Sequence, residues 1–227
     1  MFASQDTSCF EVKSASVAEL LFSDAADGGG DMPPIGLAAM PRNRQQIPKA
    51  EREAALVDSA WELFAVKGYK GTSLTEVGKV AGVAANAVRW YFPTKDDLFA
   101  AALDRLFLRE RERVEADPVI GGDPQRQLVT FLADLEVYRG LHREAYVRMD
   151  ESPVLAEVYS RMREWLEGRL LAAVANRLPE GVDVAPVADM AHVLFEGLLV
   201  SVRGLDRPTG EFIDLLVEAL AAVAVAR

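Results

Sequence analysis

After residue 48, apolar residues recur at three- and four-residue spacing, and no segment alternates long enough to suggest a strand. Val57, Ala60, Trp61 and Phe64 share one face of a helix predicted from about Lys49 to Lys67, with Gly68 as its left-handed C-terminal cap. Leu74, Val77 and Val80 mark a second, shorter helix. Ser73 and Glu76 fit the capping box that would start it, each side chain satisfying the other's backbone N–H. Gly82 supplies a turn, and a third helix begins near Ala84 and closes at Pro93, with Val88 and Phe92 turned inward and Trp90 read as packing or backbone support. Thr94 can cap a fourth helix carrying Leu98, Ala101, Ala102 and Leu106 toward Glu115, before the loop signals Asp117-Pro118 and Gly121-Gly122-Asp123-Pro124. Helical spacing resumes over 124–140 and 142–150, then from Pro153 to near Pro179, and finally over 184–203 and 209–225. The predicted fold class is all-α.

Composition narrows the setting. The chain has 227 residues, half of them hydrophobic and 26% charged, and one cysteine, so no disulfide can form within it. No apolar run approaches the ~20 residues that span a bilayer, so no membrane role is expected. Residues 1–39 lack the basic start and apolar stretch of a secretory signal, and the expected location is the cytoplasm. Residues 1–48 read as a disordered extension, with Gly28-Gly29-Gly30 a linker rather than a phosphate loop, since neither a strand nor a following Gly-Lys-Ser/Thr flanks it. Two readings of its end stay open: a natural start at Met40, or an arm of Arg42, Arg44 and Lys49 that follows DNA backbone or minor groove. The net charge of −10 is unevenly spread. Residues 1–39 carry −5 and residues 101–227 carry −7, while residues 40–100 carry +2. The single net-positive section holds the two short helices.

Two short helices joined by a glycine turn, here spanning 72–95, are a common device for placing the second helix in a DNA major groove. The residues AWELFAVKGY from Ala60 to Tyr69, then Thr72-Ser73-Leu74, Ala81-Gly82-Val83, Tyr91-Phe92 and Lys95 through Leu98 resemble the TetR (tetracycline-repressor-like) family of transcription regulators. The motif covers roughly residues 50–100. The resemblance implies a DNA-binding domain over 49–95, a helical ligand-binding and dimerisation domain over 96–227, and a homodimer closed by the last two helices. At the start of the recognition helix, Ala84, Ala85, Asn86 and Ala87 are the readout candidates: asparagine can pair with adenine, and alanine can touch thymine methyls. Tyr91 and Lys95 stand where the family meets phosphates, and Thr72 or Ser73 can present a helix N-terminus to another. Arg89 departs from the family's frequent tyrosine; it can reach a phosphate or fork onto guanine, or stand as an ordinary surface arginine.

In the C-terminal half, Phe131, Tyr138, His142, Tyr146, Met149, Met162, Trp165 and Phe195 are candidate lining residues for an apolar effector pocket, with Phe107 and Tyr159 beside them. Each is equally a core residue at helical spacing. His142 and Glu196 are the polar groups placed to orient a ligand. Val187, Met190, Ala191, Leu194 and Leu198 form one dimer stripe, and Phe212, Leu215, Leu216, Ala219 and Val223 another. The partners expected are a near-palindromic double-stranded operator, a second copy of the chain and a small-molecule effector. With two histidines, one cysteine and no metal-ligand spacing, neither an enzyme, a metal nor a cofactor is expected. A helical interaction module is the rival class, and an activator the variant of the repressor reading.

Overall fold

The computed structural model describes residues 48–201 and 206–226, all within the compact unit that spans residues 45–227. Expectations about residues 1–47, including the leader, Met40, Arg42 and Arg44, lie outside the described residues. Among those described there are nine α-helices: α1 (Lys49–Gly71), α2 (Leu74–Val80), α3 (Ala85–Tyr91), α4 (Lys95–Ala116), α5 (Pro124–Leu135), α6 (Arg139–Arg148), α7 (Pro153–Ala175), α8 (Ala185–Val200) and α9 (Thr209–Val225). A 3-10 turn over Glu136–Tyr138 joins α5 to α6, so Tyr138 does not extend α5 as its spacing suggested.

The first three helices pack as their patterns require. Leu56, Val57, Ala60 and Phe64 of α1 are buried with Leu74 and Val77 of α2 and Val88 of α3. Burying such a side chain contributes about 1.5–3 kcal/mol. Gly68 has φ 69°, so the regular part of α1 stops there and one further turn follows to Gly71. Val80 departs from expectation. It is 54% exposed, because the inward face of α2 runs through Leu74, Val77 and Gly78 instead. The capping box at Ser73 is half built: the Ser73 side chain accepts from the Glu76 N–H at 3.2 Å, while the Glu76 carboxylate turns to Lys67. A complete capping box stands at Thr94 and Asp97, starting α4.

Gly78 sets how closely α2 and α3 cross. Its carbonyl accepts from the Val83 N–H at 2.7 Å, and a Cβ there would lie 2.7 Å from the Val83 carbonyl oxygen and 2.8 Å from Val88 Cγ2. Gly82, at φ 66°, then turns the chain into α3.

Two hydrophobic clusters overlap the expected boundary at residue 95. The first joins α1–α3 to Leu98, Phe99 and Leu103 of α4, Leu141 and Ala145 of α6, and Leu155 and Val158 of α7. The second joins the distal half of α4 to α5, α7, α8 and α9 around Phe107, Phe131 and Trp165. The head therefore shares its core with α6 and the start of α7 rather than ending at the α4 N-terminus.

The α8 stripe splits. Val187, Ala191 and Leu198 face the interior with Phe195, whereas Met190, Val193 and Leu194 face outward. On α9, Leu216 turns inward while Leu215, Ala219 and Ala222 face out. The sequence stripes mixed the two faces of each helix, because helices apolar on both sides carry no polar face to orient them.

Gly78→Ala is expected to destabilise the protein by about 1–3 kcal/mol through overpacking of the α2–α3 crossing. Urea unfolding measures it, and unchanged stability would mean the crossing can spread.

Candidate functional site

The outward surface of α3 is built from small and polar side chains. Ala84, Ala85, Asn86 and Arg89 are exposed and Ala87 is half-buried, while Val88 and Phe92 anchor the opposite side in the core. No side chain caps α3 at Ala84; Asn86 Oδ1 instead accepts from the Ala87 N–H at 3.0 Å. Arg89 makes no hydrogen bond or ion pair among the described residues, so its guanidinium is available to a partner. Trp90 corrects its expected packing role: it is 67% exposed, edge-on to Tyr91 at 4.9 Å, with Lys49 Nζ 4.8 Å from its ring centroid. The first residue of α1 thus adds a positive charge beside α3.

Two of the sequence-predicted contact residues are committed elsewhere, and two are half-buried at the rim. Thr72 is 3% exposed and its hydroxyl donates to the Gly68 carbonyl at 3.0 Å, so its side chain braces the end of α1 instead of facing a phosphate. Ser73 is exposed but committed to capping α2. Lys95 is half-buried, its Nζ 4.0 Å from the Tyr69 ring centroid, and burial followed by the nearby Arg148 charge lowers its pKa. Tyr91 is half-buried at the end of α3.

Lys95 borders a cluster that sequence reading missed. Asp96, beside it on the first turn of α4, accepts from Tyr69 Oη at 2.5 Å, and Arg148 donates to it from Nε at 2.8 Å and from a terminal nitrogen at 3.0 Å. The guanidinium carbon also lies 4.4 Å from the Tyr69 ring centroid. Hydrogen bonding from Arg148 holds the Asp96 carboxyl below the usual carboxylate range, and burial with the Asp96 bond raises the Tyr69 phenol. Three elements meet here: the end of α1, the start of α4 and the end of α6. No spacing rule could have paired residues 69, 96 and 148.

The expected effector pocket is closed. Phe131 and Trp165 fill the interior with Phe107 at ring separations of 4.9–6.1 Å, and Trp165 Nε1 donates to Glu115 at 2.8 Å. Phe195 is fully buried in the same cluster, and Met149 packs against its edge. Tyr138 packs edge-on against Trp61 at 4.7 Å, and Tyr146 against Tyr159 at 5.6 Å. Glu196 lies 3.7 Å from His192 on α8. Phe131, Trp165 and Phe195 are thus core rather than pocket lining, while Tyr138 also lines an open cavity of about 330 Å³ with Phe64, Tyr69 and Leu141, beside the head.

Two small cavities have His142 in their lining. One, of about 10 Å³, is lined by Leu103, His142, Ala145, Leu155, Val158, Tyr159 and Met162. The other, of about 30 Å³, lies among Leu132, Leu135, His142, Leu198 and Leu199, with Glu136, Arg139 and Thr209 at its polar side. Among the expected ligand residues, His142 and Met162 reach these cavities. His142 Nε2 and Tyr159 Oη are buried with no hydrogen-bond partner. Burial pulls the His142 pKa down to about 4, so the ring is neutral at physiological pH.

The head, with a short helix presenting exposed small and polar residues beside basic side chains, has the arrangement of a helix-turn-helix, the device that places a helix in a DNA major groove. Residues 56–102 match the family described as bacterial regulatory proteins, tetR family. The transcriptional regulator BetI of Agrobacterium fabrum is 28% identical over 160 residues, 66% of this chain and 75% of that protein. The regulator PksA of Bacillus subtilis is 25% identical over 91 residues, 40% of this chain but only 44% of that protein, so the likeness there is confined to part of its length. Among solved structures, the multidrug binding protein EbrR complexed with proflavin matches with a TM-score of 0.54 at 24% identity, over 74% of this chain and 99% of that one, which supports the fold. The family match is carried by the head, and the relatives named here are transcriptional regulators.

The unfolded chain takes up the His142 proton near pH 6.5 and the folded chain only near pH 4, so this group's stabilising contribution is whole above about pH 6.5 and falls as pH drops. The loss is expected at up to about 1.4 kcal/mol per pH unit across that window. Urea titrations of the native protein and His142→Phe check it; identical pH slopes would contradict the burial of a neutral ring.

Proposed function

We propose that this regulator grips a near-palindromic double-stranded DNA operator as a homodimer, represses transcription there, and is released by a small, largely apolar effector. It acts where the DNA is, in the cytoplasm. The observation that carries the DNA reading is the outward face of α3, where Ala84, Ala85 and Asn86 sit at the tip and the unpaired Arg89 one turn further along. Asn86 is suited to adenine and Arg89 to guanine, each bidentate pair being worth about 1–3 kcal/mol of discrimination. Tyr91, Lys95 and Lys49 supply phosphate contacts at the rim, which add affinity without reading sequence.

The dimer reading rests on the outward stripes of α8 and α9. Met190, Val193, Leu194 and Gly197 recur at helical spacing on one exposed face, and Leu215, Ala219 and Ala222 on another. Two adjacent helices with such faces suit a four-helix contact with a second copy, which places two α3 helices on successive major grooves about 34 Å apart or a multiple of it.

The route from effector to DNA runs through α6. His142 stands on the cavity wall, and Arg148 lies six residues later, about 9 Å along the helix, gripping Asp96 at the start of α4. A shift of α6 therefore pulls on the turn that carries Lys95 and follows α3. Couplings of this kind are typically 1–3 kcal/mol, changing affinity about 5–150-fold.

Selection of bound DNA from a random library, followed by gel shift and light scattering, tests the reading. A recurring near-palindromic sequence bound by a dimer is expected; a strictly monomeric protein or the absence of a specific band would end it. On the selected operator, Arg89→Ala should lower specific affinity by about 1–3 kcal/mol. Lys95→Gln should instead weaken all sequences alike and flatten the salt dependence by about one unit of slope.

A further inference from the structure

Buried polar groups are nearly always paired, because an unpaired one loses its hydrogen bonds to water and gains none. Two such exceptions, His142 Nε2 on α6 and Tyr159 Oη on α7, border the same cavity. Its remaining lining, Leu103, Ala145, Leu155, Val158 and Met162, is apolar. At about 10 Å³ the space is that of a single water, but the ring of His142 is also a wall of the second cavity, of about 30 Å³, which extends toward Glu136, Arg139 and Thr209. The two orphaned groups and the shared wall distinguish this place from the filled aromatic core.

Charge selects the occupant further. No ion pair or hydrogen bond brings a charged side chain to His142 among the described residues. Around Tyr159, burial raises the phenol most, and Glu196 and Glu167 add a negative field that Arg163 only partly offsets. A carboxylate in the smaller cavity would enter against that field with no cation in its lining, Arg139 lining only the second cavity. An ammonium there would be buried among aliphatic side chains with no carboxylate in the smaller cavity's lining, Glu136 lining only the second cavity, which is also unfavourable.

We propose that the cavity between α4, α6 and α7 is the effector's specificity site, and that it takes an uncharged, largely apolar molecule bearing one hydroxyl or carbonyl oxygen, which bonds to His142 Nε2 and Tyr159 Oη. This rests on the effector reading above and names the effector's chemical class. A neutral imidazole offers either a donor or an acceptor at Nε2, and the phenol offers both, so one oxygen can satisfy the two groups together. Binding opens the wall at His142 and so acts on α6, the helix that ends in Arg148.

Phenol, toluene and benzoate share one ring and differ in the single group the site would read. Calorimetric titration of the DNA-free full chain at neutral pH is expected to give phenol at least tenfold tighter than toluene, with benzoate weakest. Tyr159→Phe and His142→Phe should each remove most of that preference while leaving toluene within about threefold, since a hydrogen-bonding site rejects an analogue that leaves its groups unpaired. Tyr159→Phe should also melt no lower than the native protein, because it removes an unpaired hydroxyl; a clear fall would show that the hydroxyl is held by a bound water and would overturn the proposal. Equal binding of phenol and toluene, tightest binding of benzoate, no saturable phenol binding, or a preference that survives both substitutions would also overturn it. The titration contains no DNA. A chain that binds phenol selectively yet shows no operator band would leave the site standing and remove the regulator reading, and the reverse result would do the opposite.

Discussion

The placement of the DNA-binding head depends on one carboxylate. Asp96 stands on the first turn of α4 and is held from two sides, by the Tyr69 hydroxyl at the end of α1 and by two nitrogens of Arg148 at the end of α6. Charge-assisted bonds of this kind contribute roughly 1.5–3 kcal/mol each when shielded, and less where water still reaches them. Their value lies as much in direction as in energy. The forked guanidinium fixes both the distance and the angle between α6 and α4, which a lysine in its place would not. The Tyr69 ring, with Lys95 and Arg148 against it, ties the same point to the helix that supports α3.

That polar junction lies beside a continuous apolar one. Leu98, Phe99 and Leu103 of α4 bury themselves against α1 and also against α6 and α7, so the head is not a bead on a string but one end of a shared core. The far half of α4 belongs to a second cluster, closed by Phe107, Phe131 and Trp165. α4 thus passes through both clusters as one continuous helix. The orphaned His142 and Tyr159 groups sit where these clusters meet, on α6 and α7, beside a small cavity.

Much of this was legible in the sequence, and the reasons for the remainder are physical. Helices α1 to α4 could be placed from apolar spacing, the glycines at 68 and 82 and the cap at Thr94, because those signals are local. The exposed tip of α3 followed from the same pattern. Thr72 could not be placed that way: a threonine before a helix reads as a cap or phosphate contact until the Gly68 carbonyl is seen to take its hydroxyl. Val80 and the α8 stripe failed for a related reason, since helical spacing gives a face but not which neighbour that face meets. The aromatic residues proposed as pocket lining were ambiguous between core and cavity, and Phe131, Trp165 and Phe195 proved to be core. The Tyr69–Asp96–Arg148 cluster joins residues too far apart in sequence for any spacing to suggest it. His142 was legible as a polar group in an apolar region, but its pairing with Tyr159 across the cavity needed the fold.

The central claim is that α6 governs the head through the Arg148–Asp96 contact, and a double-mutant cycle on operator affinity tests it most directly. Using the selected operator, Asp96→Asn, Arg148→Met and the double substitution are each titrated against the native protein. If the contact is the link, each single change weakens binding several-fold and the double change is little worse than either, giving a coupling of at least about 1 kcal/mol. Effects that simply multiply would mean that the two residues act independently and that the head is positioned by some other contact.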